Sequence, residues 1–359
     1  MINLYFMLDE AYSLFSGGEY GPRFGGAGLQ MFFLANELSK LDEYNVHWVF
    51  RYAYASLDLS LINHSRIRLI DYLNDVKVRE ITESQSHKIL ISSIGASAPF
   101  VVDAAERLQA KSILRLSSDT DVTEPRHAGD CSAQDTFRLY QSIDFIVTQS
   151  RWQQEQLKDG VGIESELIES IWTIEKGEVS RGKDEILWVS SAQALKQPWY
   201  FLDLAESFPD EKFRMIMPST SSVQLEEYIC SRAAGLDNLT LLTSQIPFSM
   251  MDLFFKRAKL FVNTSEIEGF PNTYLQAWSE AAPVATLSID PDDAIEGNQL
   301  GINAGGNILS LFKGIELLLS DNEKLEQFGK NALGYVEAQH GYQATIFKWT
   351  KLINNLASR

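Results

Sequence analysis

The chain has 359 residues, a formal net charge of −17, 45% hydrophobic and 22% charged residues, and two cysteines, Cys131 and Cys230, with no CxxC spacing. At roughly 150 residues per domain this length predicts two domains, each large enough for its own core. The acidic excess, shared by both halves of the chain, argues against nucleic acid as a partner and leaves at most weak association with an anionic membrane.

No apolar run reaches the ~18 residues of a membrane-spanning helix. The start, Met1–Glu10, lacks the basic lead of a signal peptide and reads as a first strand. The cysteine usage fits a reducing compartment. A cytoplasmic protein, at most peripheral to the inner face of the membrane, is the expectation.

Strand-like and helix-like segments alternate throughout, which predicts parallel sheets. In the first half the strands are Ile2–Leu8, Val46–Tyr52, Lys88–Ile94, Ser112–Ser117, Phe145–Thr148 and Glu166–Ile171. Helices are expected at Leu29–Leu41, Pro99–Gln109 and Gln134–Ser142, and residues 53–86 carry no clear pattern. The polar, glycine-containing stretch Glu175–Asp184 reads as a hinge. Beyond it come strands at Ile186–Ser190, Phe213–Met217, Leu239–Leu242, Leu260–Thr264 and Val284–Leu287. Helices follow at Trp199–Ser207, Ser222–Ala234, Ser249–Lys256, Thr273–Ala281 and Ile308–Leu319, with a last one near Tyr342–Leu356. The expected domains are residues 1–174 and 175–341, closed by a C-terminal helical segment, 342–359.

The most informative stretch runs from Ser265 through Glu266, Ile267, Glu268, Gly269, Phe270, Pro271, Asn272, Thr273, Tyr274 and Leu275 to Gln276 and Ala277. It follows the apolar run Lys259–Thr264 and leads into a helical pattern that ends before Pro283, giving strand, acidic-glycine loop, helix. In open α/β sheets ligands bind beyond the carboxyl ends of the strands, where a helix N-terminus offers unpaired N–H groups to anions. Glu268 lies in the loop itself, where a carboxylate can accept from two sugar hydroxyls at once. Asn272 and Gln276, four residues apart, share a helix face. Such residues suit a polar ligand, and a sugar nucleotide best.

With Ser265, Glu268, Gly269, Phe270, Pro271, Asn272, Pro283 and Val284 in this order, the chain resembles the family-4 glycosyltransferases of the GT-B class. Their hallmark is Glu-x(7)-Glu; Gln276 stands at its second acidic position here. The resemblance runs over nearly the whole chain. It implies an α/β protein of GT-B type, with two Rossmann-like, doubly wound parallel-sheet domains facing across a cleft. The C-terminal domain would bind the donor and the N-terminal one the acceptor, with the last helix crossing back to the N-terminal domain. The implied activity is a retaining, metal-independent transfer from a nucleotide-sugar donor, UDP- or GDP-linked, with no separate cofactor. The acceptor would be a saccharide or carrier-linked hydroxyl, and the setting cell-surface polysaccharide or glycoconjugate synthesis.

Carried over residue by residue, the resemblance gives Glu268 the donor sugar's hydroxyls and Lys196 the diphosphate. Backbone N–H groups around Gly269, Phe270, Asn272 and Thr273 would face the sugar's polar edge, Pro271 having none to donate. Gln276 takes the position that grips ribose. In the segment Leu187–Trp199, Ser190 ends the strand and Ser191 stands where relatives carry a phosphate-binding arginine. Gly25, Gly26 and Ala27 match a turn that abuts the donor phosphates or the acceptor. Asp119 matches the second member of a His-Asp pair and could position the acceptor hydroxyl. Ser118 takes the histidine's place, and Asp121 is a further acceptor-side candidate.

Each of these residues also has a plain structural reading. The glycines could form a flexible loop, Lys196 could be an exposed lysine, Asp119 a turn cap and Ser150 a helix N-cap. The departures at Ser118, Ser191 and Gln276 leave room for a non-catalytic GT-B subunit or sugar-binding module. A sugar-nucleotide epimerase or phosphorylase on the same fold is a further alternative.

Other motifs fail on inspection. Gly177–Asp184 nearly spells a phosphate-binding P-loop, but ends in Asp where Ser or Thr is needed and precedes a strand instead of following one. Gly95–Pro99 lacks the second glycine of a nucleophile elbow. His47, His64, His87, His127 and His340 show no metal-ligand spacing, so no metal site and no covalent nucleophile are expected.

Overall fold

The computed structural model describes residues 1–8, 12–15, 25–50, 66–71, 81, 86–93, 97–124, 132–172, 182–218 and 222–358. The front of the glycine-rich loop (17–24), most of the expected hinge (175–181), Cys131, His64 and His127 lie outside the described residues. The chain forms two compact units, one of Met1–Thr173 with His340–Arg359 and one of Ile174–Gln339.

The first unit is built on β1 (Ile2–Met7), β2 (Tyr44–Phe50), β3 (Ile67–Asp71), β4 (Lys88–Ser93), β5 (Lys111–Arg115), β6 (Phe145–Thr148) and β7 (Glu166–Leu167). These pair in the order β3-β2-β1-β4-β5-β6-β7, every pair parallel. Its helices are α1 (Tyr12–Phe15), α2 (Gly26–Leu38), α3 (Ala98–Leu108), α4 (Thr120–Thr123), α5 (Ala133–Gln141) and α6 (Arg151–Val161). Successive residues of a strand point to opposite faces, so β1 sends Leu4 and Phe6 into one core and Tyr5 and Met7 into another. Both faces of the sheet are covered, as an all-parallel sheet requires.

The second unit contains β8 (Glu185–Val189), β9 (Lys212–Ile216), β10 (Leu239–Leu242), β11 (Ala258–Asn263), β12 (Val284–Thr286) and β13 (Gly301–Asn303). They form a parallel sheet in the order β10-β9-β8-β11-β12-β13. Its helices are α7 (Trp199–Ser207), α8 (Val223–Ala233), α9 (Phe248–Arg257), α10 (Asn272–Ser279), α11 (Ala294–Gly297), α12 (Ile308–Leu319) and α13 (Asn322–Tyr335). The strand order reverses between β8 and β11, which makes the gap beyond their carboxyl ends the switch point where ligands of such sheets bind.

The last helix, α14 (Tyr342–Ala357), packs within the first unit, burying Ile346, Trp349, Ile353 and Leu356 in the core that holds Leu4 and Phe6. Tyr44 donates its hydroxyl proton to Asn354 Oδ1 at 3.1 Å, and Lys348 pairs with Glu169 at 2.5 Å.

Several elements depart from the sequence expectation, β13 and the short helices α1, α4 and α11 among them. The strand expected over Glu166–Ile171 is only the two residues of β7, because Ser170 and Ile171 turn their polar groups to Arg115, His340 and Gln30 instead of a neighbouring strand. β3 arises within the unassigned stretch 53–86. Helix α13 was not assigned from the sequence, although Leu325, Phe328 and Ala332 recur on one face at helical spacing and Leu325 and Phe328 pack against the second unit's core. Gly329 explains its packing, since a Cβ there would stand 2.3 Å from the Ala281 carbonyl oxygen.

Candidate functional site

Two loops meet at the switch point of the second unit. After β8 the chain runs through Ser190 and Ser191 into a single 3-10 turn, Ala194–Lys196, then turns sharply at Gln197 with φ 46°. After β11, Asn263 Oδ1 accepts the Ser265 N–H at 2.7 Å and reverses the chain. The loops are tied at two points. Thr264 donates its hydroxyl proton to the Lys196 carbonyl at 2.7 Å and accepts from Trp188 Nε1 at 3.0 Å, and the Glu266 N–H donates to the Leu195 carbonyl at 2.8 Å. This lacing brings together residues 72 apart in sequence, pairing Lys196 Nζ with Glu268 Oε1. Ser265 Oγ donates to the same carboxylate oxygen at 2.8 Å. The two charged side chains are 14% and 21% exposed, so the pair sits in a recess open to solvent on one side.

Lys196 is the sole Lys or Arg in the loops that follow the six strands of this sheet, whereas Glu266, Glu268, Asp290, Asp292 and Asp293 all lie there. Burial raises the Asp290 carboxyl above its ordinary value, against the pull of the Ile295 and Glu296 backbone N–H groups.

Gly269, Phe270 and Pro271 are buried and deliver the chain into α10, whose first turn carries no side-chain cap. That turn begins four residues after Glu268. An aromatic stack backs the helix: Phe270 meets Trp278 edge-on at 6.1 Å, and Trp278 lies 5.3 Å from Tyr274. The Tyr274 hydroxyl reaches Thr286 Oγ1 and the Ile289 carbonyl at 3.0 and 2.9 Å, and burial holds its proton far above the ordinary range. Asn272 and Thr273 are half-buried in the first turn. Gln276, one turn on, is 6% exposed, and no hydrogen bond joins it to the Lys196–Glu268 pair. Ser191 is half-buried in its loop, its carbonyl accepting the Gln193 N–H at 2.8 Å.

The acceptor-side candidates lie at the carboxyl edge of the first unit's sheet. Arg115, at the end of β5, is buried and donates to Gln149 Oε1 and Ser170 Oγ at 3.0 and 2.8 Å; burial lowers its pKa to about 10, opposed by the Asp121 carboxylate. Asp121 faces inward at 5% exposure and accepts the N–H groups of Ser117 and Ser118 at 2.9 and 3.0 Å. Its carboxylate thus shapes the turn, which is a structural duty. Ser118 Oγ bonds Thr120 Oγ1 at 2.9 Å. Asp119 occupies the N-cap position of α4 without capping it, and its Oδ1 accepts Gln153 Nε2 from the first turn of α6 at 2.9 Å. Ser150 is the N-cap of α6, its side chain accepting the Gln153 N–H. Gly25 precedes α2 in extended geometry, and Gly26 and Ala27 form the first turn of that helix, which also lacks a side-chain cap.

Sequence reasoning missed the Gln149–Gln153–Asp119 connection. Only the Ser150 N-cap signal pointed to that helix start.

No protein-family model matches this sequence, and no curated protein matches it. Its two doubly wound parallel-sheet units are the GT-B architecture of glycosyltransferases. Sucrose-phosphate synthase from Thermosynechococcus elongatus superposes with a TM-score of 0.78 at 14% identity, covering 100% of both chains. A mutant of S. aureus TarM, in complex with fondaparinux, alpha-GlcNAc-glycerol and UDP, gives 0.77 at 13%, again over 100% of both chains. HepE of Anabaena, in complex with UDP-glucose, gives 0.70 at 12% over the same coverage. At such identities the likeness defines the fold.

Proposed function

We infer that this protein is a retaining glycosyltransferase that moves a sugar from a nucleotide-sugar donor, UDP-linked before GDP-linked, to a saccharide or carrier-linked hydroxyl. The observation that carries the reading is the Lys196–Glu268–Ser265 cluster at the switch point beyond β8 and β11. A cation and a carboxylate held against each other there suit a ligand with an anionic linker and a hydroxyl-rich ring. An incoming diphosphate draws Lys196 Nζ to itself and releases Glu268 to accept the ring hydroxyls. The uncapped first turn of α10 supplies further N–H donors toward the sugar, with Asn272 and Thr273 at its start. UDP and UDP-glucose bound to TarM and HepE support uracil as the first base to test.

Leaving-group charge is stabilised by Lys196 and by helix N–H groups, which are worth most in a recess from which water is excluded. No metal ion takes part in this scheme, and no separate cofactor is required. Ser190 and Ser191 place hydroxyls where they can bond phosphate oxygens, and Gln276 offers a neutral amide to the ribose. In the first unit Asp119, fixed by Gln153, positions the acceptor hydroxyl, with Ser118 beside it and the Gly25–Ala27 turn bordering the same edge. The product would enter cell-surface polysaccharide or glycoconjugate. The protein works in the cytoplasm, at most peripherally on the membrane; among the described residues no helix is long and apolar enough to cross one.

One observation favours a second reading, a non-catalytic sugar-binding subunit: a single lysine serves the whole donor edge, where a diphosphate calls for more positive charge. Thermal-shift measurements with UDP-, GDP-, ADP-, CMP- and dTDP-sugars and the bare nucleotides separate the two. A selective rise in melting temperature that Lys196→Met diminishes supports the donor site, because a ligand at 100 times its Kd adds about 2.7 kcal/mol. No shift with any nucleotide puts the non-catalytic reading first.

A further inference from the structure

We propose that β10 is a docking edge for a second copy of this chain, the two β10 strands pairing antiparallel to join both six-stranded sheets into one. β10 pairs with β9 alone, and its other side ends the sheet. The Phe213 N–H donates to the Asn238 carbonyl and the Met217 N–H to the Leu242 carbonyl, each at 2.8 Å. In such a parallel ladder the backbone groups of Thr240 and Leu242 turn toward β9, and those of Leu239 and Leu241 turn outward. The Leu239 N–H is used by the Leu236 carbonyl at 3.2 Å. That leaves the Leu239 carbonyl, both backbone groups of Leu241 and the Thr243 N–H along the outer side.

An open sheet edge is a template for another chain, and proteins guard such edges with charge or with very short strands. The other three edges here are guarded in these ways. β3 carries Arg68 and Asp71, β7 has two residues of which one is Glu166, and β13 has three. The β10 edge, from Asn238 to Thr243, has neither a charged residue nor a proline, in a chain of net charge −17. Helix α8 packs on one face of β10, Ile229 sharing a core with Leu239 and Leu241. On the other face Phe254 of α9 meets the guanidinium of Arg214, the β9 partner of Thr240. Both helices show large apolar side chains to solvent: Val223 and Tyr228 on α8, Met250 and Leu253 on α9, each about half exposed.

The unused groups fit a copy of themselves. With Leu241 on the two-fold axis, each Leu241 N–H donates to the Leu241 carbonyl of the other copy, and each Thr243 N–H to its Leu239 carbonyl. Four hydrogen bonds form, and the turn bond from Leu239 to Leu236 is kept. The same register sets the exposed Asp237 opposite Gln245 of the other copy, three residues before α9 begins at Phe248 without a side-chain cap. A carboxylate is thereby brought to the positive end of a helix, twice by symmetry. One short strand and four apolar side chains make a small interface, so the dimer dissociates at about 1–100 μM. The recess between β8 and β11 lies beyond β9 and stays open in the pair.

The test needs neither donor nor acceptor. Sedimentation of the full chain from about 1 to 200 μM should show its mass rise from 40.5 kDa toward twice that value. Hydrogen exchange at both concentrations locates the contact. The Leu241 and Thr243 amides should exchange at least about tenfold more slowly when concentrated, while those of Thr240 and Leu242, bonded to β9, stay equally slow throughout. Thr240→Lys, at an exposed position, restores the missing guard and should weaken the dimer at least about tenfold. Its melting temperature when dilute should match the wild type. Leu241→Pro removes only an outward N–H, which an edge strand tolerates, and should leave a monomer. Asp237→Asn should weaken the dimer roughly two- to fivefold. A wild type still monomeric at about 200 μM overturns the proposal. So does a dimer that survives both Thr240→Lys and Leu241→Pro, or one whose protected amides lie elsewhere.

Discussion

Lys196 and Glu268 should respond to substitution with opposite signs when the ligand is bare UDP. The two are ion-paired at 14% and 21% exposure, with Ser265 as a third partner. Such a pair lies between exposed pairs, worth about 0.2–1 kcal/mol, and buried ones, whose breaking costs about 3–5 kcal/mol. Lys196→Met should therefore destabilise the second unit by about 1–2 kcal/mol. For a unit spanning Ile174–Gln339, that is a fall in melting temperature of roughly 2–8 °C. The same change removes a charge-assisted bond to phosphate of about 1.5–3 kcal/mol, so UDP should bind ten- to a hundredfold more weakly. Glu268→Gln keeps the shape but frees the lysine from a competing charge. With charged hydrogen bonds stronger than neutral ones by about 1 kcal/mol, UDP should bind this variant roughly fivefold tighter, while the added affinity of a UDP-sugar over UDP is lost. Isothermal titration with UDP and a UDP-sugar, on both single variants and the double, measures all of this and gives the coupling by a double-mutant cycle. Equal UDP affinity in wild type and Lys196→Met, or weaker binding in Glu268→Gln, would refute the exchange of partners on which the donor scheme rests.

Two other outcomes follow from single residues. Gln276→Glu places a carboxylate at a position 6% exposed; it should lower stability by about 1–3 kcal/mol without ligand yet tighten donor binding roughly fivefold, so urea midpoints should fall while Kd falls too. His340 is buried, donates Nδ1–H to the Ser170 carbonyl at 2.7 Å, and has its pKa lowered to about 4 by burial. Its folded pKa lies below the unfolded 6.5, so the unfolded state binds the proton first. Stability is intact above pH 6.5 and is lost as pH falls toward 4, by about 3 kcal/mol in all at roughly 1.4 kcal/mol per pH unit. His340→Asn should remove that part of the pH dependence, as urea midpoints between pH 7.5 and 4.5 will show.

The donor edge was legible in the sequence because its parts are local. Strand, acidic loop and helix fall within Ala258–Ser279, and Ser265, Glu268 and Asn272 stand at fixed offsets in one motif. What could not be read was anything that long-range folding assembles. Lys196 and Glu268 were each singled out, but their pairing depends on Thr264 and Glu266 lacing two loops together. Asp121 stood behind Asp119 as an acceptor-side candidate, and nothing local told that its carboxylate would accept the Ser117 and Ser118 N–H groups. The Arg115 network joins residues 34 and 55 positions away, and no periodicity reports such partners. Helix α13 went unassigned although its signal was local: Asp321 caps it and Leu325, Phe328 and Ala332 recur at helical spacing.

The central claim is that sugar leaves its nucleotide at the recess formed by Lys196 and Glu268. Nucleotide release should be followed with a panel of UDP- and GDP-sugars and mixed saccharide acceptors, using wild type and Glu268→Gln side by side. The account predicts acceptor-stimulated release from one donor by the wild type and at least a hundredfold slower release by a folded Glu268→Gln. Undiminished release by Glu268→Gln, or none from any donor with the wild type, would contradict it.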